Sequence, residues 1–414
     1  MCGREAIVFD QNRLSAWVRG VSSQIKLPLR LELWNGQAID FSTEAPRVTI
    51  RLPQASAARY LLTPSLASLG TAYVEGDIEV RGHARDMIGV VNALARSSLK
   101  GTMRPDGRLA RVVRSLTVHD RKKDAAAIRY HYDVSNEFYQ QFLDPNLVYS
   151  CAYFEHGDED LATAQLKKID HILTKIRVQP GQTLLDIGCG WGALVLRAAE
   201  KFGARCVGIT LSENQYALAC ERVERAGLAG RVEIRLQDYR DVRGTFDRIT
   251  SVGMFEHVGI RHLPDYFGII ARLLAEDGVA MNHGITSTDP ANGEAPYGGG
   301  EFIAKYVFPH GELAHIGAVL TAMQQGGLEA YDVENLRRHY ARTLAIWTDN
   351  FEARAGRVKE LAGEKRFRIW HIYLAGCAYA FDQDWISLYQ VVCGKAGRHP
   401  RALPWSRGYI YGRD

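Results

Sequence analysis

The chain has 414 residues, of which 46% are hydrophobic, and a formal net charge of +4; it is long and apolar enough for two domains with a sizeable core, which excludes a disordered chain. It contains no run of eighteen or more apolar residues, and its first ten residues, MCGREAIVFD, carry charges where a secretory signal needs an apolar stretch. Seven cysteines without a CxxC pair argue against a disulfide framework and a structural zinc site, so we expect a cytoplasmic protein with reduced thiols and no metal.

Residues 1–115 are the predicted N-terminal domain. Strand-like stretches occur at 27–34, 47–52 and 72–80, which indicates a small α+β domain. Up to residue 128 the chain carries 19 Lys and Arg against 12 Asp and Glu, whereas the remainder carries 32 against 35. The front of the chain is therefore its basic part.

A basic cluster closes this region and continues into a predicted linker at 116–128. Its members recur every three or four residues: Arg96, Lys100, Arg104, Arg108, Arg111, Arg114 and the run 121–123. Anionic lipid headgroups would attract such a cluster by about 1 kcal/mol per charge, although a solvated helix face is the simpler explanation of the charge alone. No nucleic-acid motif accompanies the cluster, so we expect no nucleic-acid partner.

The strongest local signal is a glycine turn, DIGCGWG, at 186–192. It follows the apolar run 183–185 and precedes a stretch, 193–202, with apolar residues at helical spacing. A turn between a buried strand and a helix start lets a cofactor approach bare backbone. The spacing departs from the dinucleotide fingerprint, and the next strand ends in Thr-Leu-Ser rather than an acid, so an adenosyl cofactor is favoured over a dinucleotide.

Further strands follow in the order expected of a doubly wound sheet. They are predicted at 204–210, 232–238, 246–253, 278–285 and 387–394. Residues 286–311, with five glycines and three prolines, are predicted to be a long loop over a site. Two helices are predicted after it, at about 338–361 and 364–381.

Several motifs agree in resembling one family. They are YHYDVSNEFYQQFL, YSCAYF, LLDIGCGWGALVLRAAEKFGARCVGITLSENQ, QDYRDV, SVGMFEHVG, KYVFPHGEL and ISLYQVVCGK. The chain resembles the cyclopropane-fatty-acyl-phospholipid synthases and mycolic acid cyclopropane synthases, densely over about 129–394 and more loosely in 1–115. The resemblance implies a Rossmann-like class I methyltransferase domain with a seven-stranded sheet at 129–414, and a lipid- or membrane-associating domain at 1–115.

The resemblance also implies residues that bind S-adenosyl-L-methionine. Those at the methionine end and its closing pair are Tyr149, Ser150, Asp186, Gly188, Gly190 and Gly192. Those near the ribose and adenine are Thr210, Leu211, Gln215, Asp238 and Tyr239.

The implied reaction is methylene transfer to the cis double bond of an unsaturated acyl chain in a membrane phospholipid, which forms a cyclopropane. A bound bicarbonate is the implied base. The catalytic residues that the family's anion site implies are Cys151, Glu256, His283, Ile285 and Tyr340, with Cys151 and Ile285 expected to contribute backbone groups.

Other readings stay open at the level of sequence. The same site would give methylene- or methyl-branched chains if the cyclopropane ring did not close. A lipid-binding module with an inactive core and a methyltransferase for a soluble small molecule are further alternatives. We expect a protein that associates peripherally with the inner face of the membrane, and we expect a homodimer.

Overall fold

The computed structural model describes most of the chain. It covers residues 14, 16–23, 25–62, 64–98, 134–291, 299–308, 312–398 and 400–412. The predicted linker at 116–128 and all of the basic cluster except Arg96 lie outside these residues.

The chain divides into two compact units. The first comprises residues 1–107, 295–309 and 351–380, and the second comprises 108–294, 310–350 and 381–414. The predicted N-terminal domain thus accounts for only part of the first unit, because two segments from much later in the chain pack with it.

The first unit is a small α+β arrangement. Its strands are β1 (Leu29–Glu32), β2 (Ala38–Asp40), β3 (Val48–Arg51) and β4 (Glu79–Arg81) in the order β2-β1-β3-β4. Its helices are α1 (Arg59–Leu62), α2 (Leu66–Glu75), α3 (Ala84–Ser98), α9 (Gly299–Tyr306) and most of α12 (Ala355–Asp382). The Tyr306 hydroxyl on α9 donates a 2.9 Å hydrogen bond to Glu75 at the end of α2.

The strand predicted at 72–80 is wrong over most of its length. Residues up to Glu75 belong to α2, and only 79–81 form a strand. Ser65 and Ser68 form a reciprocal capping box at the start of this helix, and Gly76 ends it with φ 83°. The caps satisfy the terminal backbone groups of the helix, which outweighs the strand-like alternation of the sequence.

The second unit contains the predicted doubly wound sheet of seven strands. They are β5 (Thr183–Ile187), β6 (Arg205–Thr210), β7 (Val232–Leu236), β8 (Phe246–Val252), β9 (Leu274–Ser287), β10 (Leu328–Asn335) and β11 (Ile386–Lys395). Their order is β10-β11-β9-β8-β5-β6-β7, and only β11 runs antiparallel to its neighbours. The predicted fold class is confirmed.

Helices cover both faces of this sheet. They are α4 (Asn136–Gln140), α5 (Leu161–Lys175), α6 (Ala193–Phe202), α7 (Glu213–Arg225), α8 (Leu263–Leu273), α10 (Ile316–Gln325) and α11 (Arg337–Ala353). Neighbouring residues Leu184 and Leu185 of β5 belong to two separate hydrophobic clusters. Because alternate side chains of a strand point to opposite faces, both faces of the sheet are buried.

Two other segments differ from prediction. The loop expected at 286–311 begins as strand, since β9 runs to Ser287, and it contains helix α9 at 299–306. The helix expected at 338–361 is divided at residue 354, while the break expected before 364 is present as the non-helical Gly363. No helix in the described ranges is long and apolar enough to cross a membrane.

Candidate active site

The glycine turn leaves β5 at the carboxyl end of the parallel strands. Gly188, Gly190 and Gly192 have φ of 81°, 56° and 82°, a region that residues with a Cβ rarely adopt. A Cβ added to Gly190 would meet no atom within 4 Å. The turn therefore presents open backbone, which fits an adenosyl cofactor at this edge of the sheet.

Thr210, Leu211 and Gln215 lie beside this turn, at the end of β6 and the start of α7. The Thr210 hydroxyl donates a 2.8 Å hydrogen bond to the Gln215 side-chain oxygen, which leaves the amide nitrogen of Gln215 as a donor. Ser212 caps α7 by accepting from the Gln215 backbone N–H. The segment is thus fixed by its own hydrogen bonds.

Asp186 and Asp238 are occupied by protein partners. The buried Asp186 carboxylate accepts a 2.7 Å hydrogen bond from Thr250, and burial raises its pKa to about 6. Asp238, after β7, pairs with Arg240 at 2.7 Å. Tyr239, the next residue, packs edge-on against Tyr266 with ring centroids 5.4 Å apart.

An aromatic cluster surrounds Tyr149. Its ring stacks on Trp347 at 5.3 Å and meets the edges of Tyr139 and Phe142 at 5.5 and 6.4 Å. Because Trp347 is fully buried, it gives Tyr149 a rigid apolar support.

Trp347 also links this cluster to Tyr340. The Tyr340 ring lies edge-on to Trp347 at 6.1 Å and tilts against Phe381 at 4.7 Å. Tyr340 and Trp347 both lie on helix α11. The fully buried Cys151 lies near the start of this helix, with its Sγ 3.9 Å from the Leu336 carbonyl oxygen. Helix α11 therefore brings Tyr149, Cys151 and Tyr340 into one neighbourhood.

Glu256, His283 and Ile285 form a second group at the ends of β8 and β9. Glu256 Oε1 accepts a 2.7 Å hydrogen bond from the Ile285 backbone N–H, and its Oε2 is buried with no hydrogen-bond partner in the described part of the chain. Burial raises the pKa of this carboxyl to about 7.

His283 presents a second buried polar atom without a partner in the described ranges, its Nε2. Its Nδ1 lies 3.2 Å from the amide nitrogen of Gln390 on β11. With the Gln390 amide in this orientation its nitrogen donates to Nδ1, which assigns the ring proton of the neutral imidazole to Nε2. Burial lowers the pKa of His283 well below its usual value, which keeps the ring neutral with one N–H donor available.

Sequence reasoning missed Lys168, Trp347 and Gln390. Lys168 on α5 is 2% exposed and donates to Ser150 Oγ at 2.8 Å. Its signal was available: Gln165 and Lys168 occupy positions three apart on the apolar face of a helix, where polar side chains need a specific partner. In the sequence, Gln390 is recognisable only as a polar residue within an apolar strand.

A comparison with known families matches two segments of the chain. The profile of the mycolic acid cyclopropane synthetase family matches residues 119–391. The chain belongs to this family. Residues 16–103 match a domain of unknown function.

Two proteins similar to this chain are named as methyltransferases of fatty acids. A probable fatty acid methyltransferase of Pseudomonas putida is 43% identical over 394 residues, which cover 94% of this chain and 97% of the relative. Tuberculostearic acid methyltransferase UfaA1 of Mycobacterium tuberculosis is 36% identical over 377 residues, covering 88% and 87%.

A solved structure of the family matches about two thirds of the chain. It is mycolic acid cyclopropane synthase CmaA1 complexed with SAH and CTAB, at 37% identity and a TM-score of 0.63, covering 66% of this chain and 98% of that one. The protein is thus a methyltransferase that depends on S-adenosyl-L-methionine, and its family transfers methylene or methyl groups to fatty acyl chains. The roles of individual site residues remain predictions.

Proposed function

We propose that the protein transfers a methylene group from S-adenosyl-L-methionine to the cis double bond of an unsaturated acyl chain in a membrane phospholipid, forming a cyclopropane, with bound bicarbonate as base. The observation that carries this proposal is a pair of buried polar atoms, Glu256 Oε2 and His283 Nε2, which have no hydrogen-bond partner in the part of the chain that the structure describes. A buried polar atom without a partner is costly, and a bound ligand at this site would remove that cost.

The donor and acceptor pattern of these atoms fits bicarbonate. His283 Nε2–H donates, which suits an anionic oxygen. An ionised Glu256 accepts, which suits the single O–H of bicarbonate. A pKa of about 7 allows this carboxyl to ionise in neutral solution. The pair thus matches an oxyanion that also carries a proton.

The protein's contribution to the chemistry is positioning. An isolated alkene is a weak nucleophile, so it must be aligned with the sulfonium methyl that S-adenosyl-L-methionine supplies, in a dry site. The aromatic cluster of Tyr149, Trp347 and Tyr340 provides apolar walls and no strongly basic side chain that would itself be methylated. Proton removal from the transferred methyl is the chemistry that a bound bicarbonate supplies.

A phospholipid substrate requires the enzyme to act at a membrane surface. The basic front of the chain, with 19 cationic against 12 acidic residues up to position 128, supports peripheral association with an anionic leaflet. We extend the proposal to the inner face of the membrane, with the N-terminal region as the associating part and a homodimer as a possible assembly.

A second product class has its own support. Relatives with high coverage are named fatty acid methyltransferase and tuberculostearic acid methyltransferase. The same site would give a branched chain if the cation formed by methyl transfer did not close to a ring. Loss of a proton from the acyl chain would give a methyl-branched alkene, whereas a hydride shift followed by loss of a proton from the new methyl group would give a methylene branch.

Mass spectrometry of lipids tests the proposal. Purified protein is incubated with monounsaturated phospholipid vesicles, bicarbonate and S-adenosyl-L-methionine, and the product's proton spectrum is recorded. A gain of about 14 mass units with upfield ring-methylene signals supports cyclopropane formation, because the net addition is one CH₂ after proton loss. The same gain with vinylic signals supports branching, and no gain from a protein that binds the cofactor contradicts both.

A further inference from the structure

Lys168 is a buried cation that the proposed methylene transfer does not use. It lies on α5 with 2% of its surface exposed, and its Nζ is 2.8 Å from Ser150 Oγ. One turn earlier, Gln165 donates hydrogen bonds of 2.8 and 3.2 Å to the carbonyl oxygens of Ser150 and Val148. Helix α5 therefore fixes both the backbone and the side chain of Ser150.

The hydrogen bond from Lys168 determines where the Ser150 hydroxyl proton can point. An ammonium group only donates, so Ser150 Oγ accepts from Lys168 and must donate its own proton elsewhere. Lys168 and Ser150 together form a hydroxyl donor with a positive charge behind it, which is the arrangement that recognises an anionic oxygen.

No carboxylate compensates the Lys168 charge at ion-pairing distance in the described part of the chain. The groups that interact with it electrostatically include Cys151, Asp144, Asp186 and the neutral His283. Asp144 is engaged by the backbone N–H groups of Asn146 and Val148, and Asp186 by Thr250. Burial lowers the pKa of Lys168 to about 8. An unpaired buried ammonium is costly, and an incoming anion would remove that cost.

The position of this donor relates it to the cofactor. The Tyr139 ring links Ser150 to the glycine turn. Its centroid lies 5.5 Å from that of Tyr149, the residue before Ser150, and 5.0 Å from that of Trp191 in the turn. A buried cation near the cofactor turn suits the anionic end of an amino-acid zwitterion. The methionine portion of the cofactor carries that zwitterion, and its carboxylate is the only anionic group.

We propose that Lys168, acting through the Ser150 hydroxyl, is the positioning residue for the carboxylate at the amino-acid end of the cofactor. This inference rests on the cofactor assignment within the proposed function and deepens it.

Calorimetric binding of two ligands tests the inference. S-adenosylhomocysteine carries the carboxylate, and 5′-methylthioadenosine lacks the amino-acid portion. We expect Lys168→Gln and Ser150→Ala to weaken S-adenosylhomocysteine binding by about tenfold to a hundredfold, and to change 5′-methylthioadenosine binding by less than about twofold. Ser150→Ala keeps the buried cation, so it provides the test if Lys168→Gln does not fold.

Lys167→Gln is the matched control. Lys167 is the neighbouring residue, but it pairs with Glu155 and Glu159 at the surface, each at 2.8 Å, and its loss should leave both affinities unchanged. Equal losses for both ligands in Lys168→Gln would overturn the inference, because they would show a general structural role. Unchanged S-adenosylhomocysteine affinity in Lys168→Gln and Ser150→Ala would also overturn it.

A bicarbonate titration shows whether Lys168 serves bicarbonate instead of the cofactor carboxylate. If Lys168→Gln retains S-adenosylhomocysteine affinity but needs more bicarbonate for half-maximal turnover, the cation serves bicarbonate and the inference is wrong. If the variants show the predicted losses of binding but the wild-type protein forms no lipid product, the proposed function is refuted and this inference stands.

The inference also predicts a pH signature. Carboxylate binding favours the charged form of Lys168, so wild-type affinity for S-adenosylhomocysteine should fall as pH rises above about 8, by at most about tenfold per unit. The ligand's own amino group titrates in both proteins, so the difference between wild type and Lys168→Gln is the relevant quantity. Identical pH profiles for the two proteins would contradict the inference.

Discussion

Glu256 Oε1 is held at 2.7 Å by the backbone N–H of Ile285, while Glu256 Oε2 is buried with no hydrogen-bond partner among the described residues. One oxygen of the carboxylate is thus fixed by strand β9, and the other is available to a ligand. The arrangement orients an acceptor at the carboxyl ends of the central strands, where doubly wound sheets place their sites.

Replacement of this acceptor should impair catalysis selectively. In Glu256→Gln an amide donor would stand where the proposal needs an acceptor for the bicarbonate O–H. We expect turnover to fall by about two orders of magnitude or more, while affinity for S-adenosylhomocysteine in calorimetry stays within about twofold. A comparable loss of cofactor affinity would place Glu256 at the cofactor instead.

The raised pKa of Glu256 predicts a specific pH dependence of stability. The folded protein binds this proton more tightly than the unfolded chain, with a pKa of about 7 against 4.5. The stabilisation is complete below pH 4.5 and is lost as pH rises through 7, a change of about 3 kcal/mol. Urea unfolding at pH 5 and pH 8 should therefore show a larger loss for wild type than for Glu256→Gln. Parallel losses in the two proteins would contradict the assignment.

Gly284 should be sensitive to a single methyl group. A Cβ at this position would lie 2.0 Å from the Phe255 ring, so that ring, which precedes Glu256, must move. We expect Gly284→Ala to lower the free energy of unfolding by about 1–3 kcal/mol and to reduce turnover. Gly89→Ala is the control, since a Cβ at Gly89 on helix α3 meets nothing within 4 Å and alanine favours the helix. Equal stabilities of the two variants would contradict this account.

Membrane association should depend on ionic strength. If the basic front of the chain binds anionic headgroups, sedimentation with anionic vesicles should decrease between low salt and 0.5 M salt, an ionic strength that shortens the Debye length to less than about 5 Å. Vesicles of neutral lipid provide the control. Salt-insensitive binding would leave apolar insertion as the attachment, and no binding to either vesicle would favour a soluble substrate.

Six of the seven strands in the sheet of the second unit were predictable because each contains an apolar run or apolar residues in alternation, whereas β10 was missed because its sequence, LEAYDVEN, is largely polar. The glycine turn was readable because it follows an apolar run. The helix at Leu66–Glu75 was not predicted, although Leu69, Ala72 and Tyr73 are buried at helical spacing and Ser65 and Gly76 cap its ends. The sequence also did not indicate which segments make up the first unit, since residues 351–380 join it from a distant part of the chain.

The site was predictable in part. The residues at the glycine turn follow from local pattern, whereas Glu256 and His283 were found only through resemblance to a family, because single buried polar residues are usually satisfied in the core. Gln390 and Trp347 were missed because their importance depends on contacts across the fold. Lys168 was missed although its place on an apolar helix face was visible.

A deuterium-labelled methyl donor tests the central claim most directly. The protein is given monounsaturated phospholipid, bicarbonate and S-adenosyl-L-methionine with a trideuterated methyl group, and the deuterium content of the product lipid is measured. Closure of a cyclopropane removes one hydron from the transferred methyl, so the account predicts a product that retains two of the three deuterium atoms and shows ring signals. A product that retains all three would show that the proton left the acyl chain, which would contradict cyclopropane formation.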